Sequence, residues 1–220
     1  MMPQEKRELP EMHAEELVRT LDAFGKGRNQ RKKAFPPEVL SDAQRALDWI
    51  HERGIAAMLL QGLFPVEALF SERSVPPFFH RFAQLVLGIL TIGPELEEEA
   101  TSAFQRGETM RGLLLDHAGT MMLRKAFFVF QETLTPRGWY SHRMAPGCPG
   151  IPLQAQHTIF HLLEAGKRGL HINASFMIHP LKSSSFAIGL LQEGERGKRG
   201  ESLCISCPSR AHCDMFGDME

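Results

Sequence analysis

Three cysteines near the C-terminus, Cys204, Cys207 and Cys213, stand in the spacing C-x2-C-x5-C. Two thiolates two residues apart can grip one metal from a single turn, and a third from the same segment completes most of a tetrahedral shell. Zinc and an iron–sulfur cluster fit this spacing equally. Cys148, His212 or a residue of another chain are the candidates for a fourth ligand, and three reduced thiols or a transient disulfide are the non-metal alternative. The second candidate site is the stretch from Arg143 to Pro152, which packs an arginine, three prolines, two glycines and a cysteine into ten positions. The prolines fix φ and remove donors, while Gly147 and Gly150 permit backbone angles closed to other residues, so the stretch should hold one shape. A loop stiffened in this way either binds something or aims the helix that follows it.

The remaining reactive residue types carry weaker signals. His157 and His161 are spaced i,i+4 on an expected helix but have no third ligand nearby, so packing is the expected role. His117 beside Asp116 is read as structural, and Ser183, Ser184 and Ser185 as strand hydroxyls in cross-strand pairs that could otherwise bond a ligand. No glycine-rich phosphate loop, nucleophile elbow or paired-carboxylate arrangement is present. A self-contained hydrolase or kinase is therefore not expected.

These residues must be positioned by a mixed set of elements. Apolar periodicity predicts a helix over 10–24 with Leu17, Leu21 and Phe24 on one face, and a second from Pro37 to Arg53, ended by Gly54. The runs 55–60 and 82–92 are candidates for buried strands that period alone does not distinguish from buried helix, and the second is read as a strand. Pro94 followed by Glu95, Glu97, Glu98 and Glu99 opens a further helix with carboxylates that complement its dipole. A long helix should run from Glu108 to about Leu134, with Gly119 in its middle marking close packing or an approaching ligand. Past the stiff loop a helix over 153–165 is expected, then two extended stretches separated by Pro180. This places the strands towards the C-terminal half of an α+β fold. Residues 1–36 read as an N-terminal helix and basic linker, 37–191 as the main domain, and 192–220 as a Gly-rich linker with the cysteine tail.

The 220-residue chain carries 25 basic against 26 acidic residues, so no whole-molecule field argues for nucleic acid or an anionic membrane. The basic run from Lys26 to Lys33 lacks interleaved aromatics and reads as a solvated linker. The apolar stretch 82–93 is interrupted by Gln84 and falls short of the ~20 residues of a membrane span. The N-terminal segment has no apolar h-region, and the cysteines do not form a spread disulfide framework, so a cytoplasmic location is expected.

The segments "HRMAPGCPGIPLQAQHTIFHLL", "GLHINASFMIHPLKSSSFAIGL" and, upstream, "TIGPELEEEATSAFQRGETMRGLLLDHAGT" resemble the S-adenosylmethionine-binding activation (reactivation) domain of vitamin B12-dependent methionine synthase. The similarity extends to small free-standing relatives that also end in three cysteines. It covers about Phe82 to Leu191 and implies helices packed with a twisted, mainly antiparallel sheet. The family loop is Arg-x-Ala-x-Gly-Tyr; Arg143, Ala145 and Gly147 match it, and Cys148 stands where many members have tyrosine. The resemblance implies that Arg143 pairs with the carboxylate of S-adenosylmethionine and that Ala145 offers backbone groups to its adenosine. It further implies an accessory protein that supports reductive reactivation and methylation of a cobalamin carried by a partner, either a corrinoid protein or a cobalamin-dependent methyltransferase. An electron donor is then required, and a tail cluster could relay the electron. Arg124 in place of an acidic residue, Cys148 in place of the loop tyrosine, and the lack of the family's tyrosine pair after the last matching strand, Tyr140 before the loop being the chain's single tyrosine, motivate the alternative, a non-catalytic corrinoid-protein-binding module. A metal-dependent enzyme using the tail is the third reading.

Overall fold

The structure, a computed structural model, describes residues 5–6, 11–26, 35–70, 75–133 and 143–191. The organising element is β3 (Phe82–Thr91), whose sequence is apolar without the alternation of a one-sided strand. The reason is that both of its faces are covered. Val86 and Leu90 enter one core with α-helices, while Leu85, Leu87 and Ile89 enter a second core on the other side of the sheet. β3 pairs antiparallel with β2 (Met58–Phe64) on one side and β6 (Ser183–Leu191) on the other. A two-residue β1 (Glu5–Lys6) extends the sheet to the order β1-β2-β3-β6. The α+β class with an antiparallel sheet is as the sequence suggests. The strands are not gathered in the C-terminal half, since three of the four come before residue 92.

Four helices cover the first face. In α1 (Ala14–Lys26), Leu17 is fully buried and Leu21 packs on the same core; in α2 (Pro37–Glu52), Ala43, Ala46, Leu47 and Ile50 are buried. Helix α2 ends as expected, with Gly54 at φ +62. The next strand begins only at Met58, because the Ile55 N–H closes onto the Ile50 carbonyl at 3.1 Å and the first residues of that apolar run finish the helix end. Helices α3 (Glu95–Gln105) and α4 (Thr109–Glu132) pack together, and Gly119 is a close-packing glycine: a Cβ there would meet Leu96 Cδ2 at 2.8 Å and Lys182 Cγ at 3.2 Å. His117 on α4 is buried, with Nε2 2.8 Å from Thr20 Oγ1 of α1.

Burial pushes the His117 imidazole below its ordinary value, and the Asp116 carboxylate only partly opposes this. The unfolded chain therefore takes up the proton first. Stability is full above the unfolded-state value of about 6.5 and is lost as pH falls through the lower folded-state value. Thermal melts at stepped pH should show a decline below about pH 6.5 that is shallower in His117→Asn. An unchanged slope in that variant would remove His117 from the account.

On the second face, the expected helix over 153–165 is shorter: α5 spans Ala155–Leu162, with a 3-10 turn over Ala165–Arg168. Glu164 takes a left-handed φ of 50 and separates the two. The first of the two expected extended stretches is a small hairpin, β4 (His171–Ile172) against β5 (Ile178–His179). Asn173 folds it back by accepting the N–H groups of Ser175 and Met177 on its Oδ1 at 2.9 and 3.0 Å. His157 and His161 are exposed on α5. No helix among the described residues is long and apolar enough to cross a membrane.

Candidate functional site

The stiff loop begins as a strand edge. Met144 exchanges both backbone hydrogen bonds with Ala187 of β6, Met144 N–H to Ala187 O at 2.9 Å and Ala187 N–H to Met144 O at 2.7 Å. The chain then turns on itself. Cys148 N–H donates to Ala145 O at 2.9 Å, Gly147 N–H to Ile151 O at 2.9 Å, and Ile151 N–H to Cys148 O at 3.0 Å. Gly147 sits at φ +90, a conformation that a side chain would strain. Met144 and Ile151, 4% and 1% exposed, anchor the two sides of the turn in the second core. The expected single shape thus has a cause beyond proline: the loop satisfies its own backbone and is anchored at two apolar points.

That bridge has a consequence for β6. In an antiparallel ladder, groups alternate between one neighbour and the other. Since Ala187 bonds outward to Met144, Ser185 and Ser183 also direct their N–H and C=O groups outward, where no described residue pairs with them. This open edge is the floor of a cleft of about 300 Å³. Ala145 and Pro146 form one wall, and Phe176, Met177, Ile178 and Leu181 the other. Gln156 of α5 spans the floor, accepting the Ser185 hydroxyl on Oε1 at 3.3 Å and donating from Nε2 to the Phe176 carbonyl. Met177 and Leu181, 48% and 46% exposed, leave the mouth apolar. The turn at Leu181 is held from the helix side, with its N–H on Glu97 Oε2 at 2.7 Å and Lys182 Nζ on Asp116 Oδ1 at 2.8 Å.

Of the four residues assigned to ligand binding from the sequence, Ala145 lines this cleft and Gly147 and Cys148 form the turn behind it. Arg143 lies on the helix side of the edge, its guanidinium carbon 4.4 Å from the centroid of the Phe127 ring. Ser183 fulfils its cross-strand reading, its hydroxyl donating to Thr91 Oγ1 at 2.8 Å. Gln156, Phe176 and the backbone of Ser185 were not singled out. Gln156 is one of four polar residues among the eight of α5 and nothing in the sequence marks it out, and the direction of the Ser185 backbone depends on a bridge that no side-chain pattern reveals.

A larger hollow of about 940 Å³ lies between β2 and the end of α5, beside Phe64, Phe160 and Leu163. Its rim charges, Glu164 and Lys167, are paired with each other at 2.6 Å, and the loop takes no part in it. The cleft is the better candidate because polar groups converge in it. Among the described residues no three His, Cys, Asp or Glu side chains gather to hold a metal. Cys204, Cys207, Cys213 and His212 lie outside the described residues.

The architecture is an α+β unit, an antiparallel sheet with α1–α4 on one face and α5 on the other. Among solved structures it is similar to the MetH reactivation domain bound to AdoHcy, with a TM-score of 0.58 over 89% of this chain and 80% of that one, at 16% identity. No protein-family model and no curated protein matches the sequence. The likeness is therefore one of fold.

Proposed function

We propose that the cleft binds S-adenosylmethionine and its demethylated form, and that the protein acts in the cytoplasm as an accessory of corrinoid metabolism. The observation that carries this reading is the open β6 edge at Ser185 beneath the Arg143–Gly147 loop, in a fold shared with a domain whose solved structure holds AdoHcy. The fit is chemical as well as architectural. An adenine edge carries an acceptor next to a donor, the complement of a strand edge's N–H and C=O, and the cleft volume lies at the small end of the range for ligand sites. When bound, S-adenosylmethionine supplies a methyl group to a partner's cob(II)alamin, which also takes one electron from a reductant, leaving S-adenosylhomocysteine. The chain's own contribution is to orient the donor through Arg143, Ala145 and Ser185. An anaerobic mixture of the protein, a cobalamin-dependent methyltransferase held as cob(II)alamin, a reductant and S-adenosylmethionine tests the role. Conversion to the methylcobalamin spectrum should require the protein, and equal conversion without it would refute the role.

The position of Arg143 on the helix side, against Phe127 and outside the lining of the cleft, favours one second reading, a binding module that has lost the methyl donor. Calorimetry on the protein and on its complex separates the two, because only the first binds S-adenosylmethionine below millimolar concentration.

In the same proposal the folded unit ends at Leu191, and residues 192–220 form a separate appendage whose Cys204, Cys207 and Cys213 hold an iron–sulfur cluster or zinc. Truncation after Leu191 should leave a soluble domain that melts cooperatively, while serine at any one of the three cysteines should deplete the metal to the same extent. Full metal content in any single variant would remove that cysteine from the site.

A further inference from the structure

Two non-glycine residues among those described have positive φ, Glu164 and Phe176. Glu164 follows α5 directly, where left-handed residues commonly end helices. Phe176 has no such explanation. At φ 62 it occupies a region that a bulky residue rarely visits, and that glycine or asparagine would enter at little cost. Its surroundings over-determine the conformation. The Phe176 N–H donates to Asn173 O at 3.0 Å, Asn173 Oδ1 holds the N–H groups on either side, and Gln156 donates to the Phe176 carbonyl. Such strain persists where the side chain has a task that the conformation serves. The ring is half-buried, lines the cleft, and meets the His157 ring edge-on at 5.1 Å and 71°.

We propose that Phe176 is the stacking platform of the cleft and selects ligands with a planar heteroaromatic ring. A ring stacked on Phe176 can turn its edge to the outward N–H and C=O of Ser185, so plane and edge are read by different elements, the hairpin and the sheet. This assignment rests on the cleft being the ligand site of the proposed function, and it names the part of the ligand recognised there. It is a positioning and specificity role, distinct from the carboxylate contact implied for Arg143.

The test uses the full-length protein, with AdoHcy and free adenosine as probes in calorimetric titrations of Phe176→Ala, Phe176→Gly and Phe176→Tyr. Stacking of a base on an aromatic side chain predicts roughly tenfold or greater loss of affinity in the alanine and glycine variants, with Tyr within about threefold of the parent. The backbone strain adds a readout that a plain packing role would not move. Both small variants lose the ring but only glycine relieves the conformation, so Phe176→Gly should melt roughly 2–4 °C above Phe176→Ala. If the parent binds AdoHcy and the alanine and glycine variants bind it equally well, the platform is refuted while the ligand reading stands. If adenosine binds in a Phe176-dependent manner and AdoHcy does not bind, the platform stands and the ligand reading fails. Binding of neither probe overturns both, and equal melting of the glycine and alanine variants overturns the strain argument.

Discussion

Phe186→Ala should destabilise the protein by about 3–5 kcal/mol, the range for deleting a buried phenylalanine. Phe186 is completely buried on β6, packs against Phe127 and Phe130 of α4 with both ring centroids 5.3 Å away, and lies over Gly88, its register partner on β3. The ring fills the space that a Cβ on Gly88 would need, so Gly88→Ala is also destabilising, by about 1–3 kcal/mol of overpacking. These costs arise from one volume and cannot add. In the double variant the new methyl group enters the cavity left by the ring, and the sum of the single losses should exceed the observed loss by roughly 1–2 kcal/mol. Urea unfolding of the four proteins measures this, and additivity within about 0.5 kcal/mol would show that the ring and the glycine do not share that space.

Arg143→Lys should weaken binding of S-adenosylmethionine or AdoHcy by about 1.5–3 kcal/mol, roughly 10-fold to 150-fold, although the charge is kept. The guanidinium presents one face to Phe127 at 4.4 Å, and its N–H donors lie in its plane, the direction from which a carboxylate is bound bidentately. An ammonium offers neither the flat face nor the fork. Arg143→Ala should lose as much affinity and also melt slightly lower, because an aromatic–guanidinium contact contributes about 0.5–2 kcal/mol. Ligand affinity equal to the parent in both variants would withdraw Arg143 from the site, whereas absence of binding by the parent itself would support the module that binds no methyl donor.

Much of this fold was legible because its strongest signals are local. Helix α2 shows its apolar spacing, its opening proline and its terminal Gly54 in sequence. The apolar run of β3 from Leu85 to Leu90 announces a strand covered on both faces, and the acidic residues after Pro94 mark the start of α3. The elements misread are those set by tertiary contact. The stretch 170–180 has the composition of a strand, yet Asn173 captures two backbone N–H groups and turns it into a hairpin. α5 stops at Leu162 because Glu164 turns left-handed, and neither event follows from helical periodicity. The stiffness of the loop was legible from its prolines and glycines. Its position was not, since the Met144–Ala187 bridge that exposes the Ser185 edge joins residues far apart in the chain. Phe176 escaped notice because its significance lies in a backbone angle.

The central claim is that the cleft between the Arg143–Gly147 loop and the open edge of β6 binds an adenosylated amino acid. Isothermal titration of the full-length protein with AdoHcy tests it most directly, with Gly147→Val as the control that reshapes the loop at its positive-φ residue. The predicted result is saturable binding at one site per chain, lost in Gly147→Val while the variant still melts cooperatively. Absence of binding up to millimolar AdoHcy, or binding that Gly147→Val leaves unchanged, would contradict it.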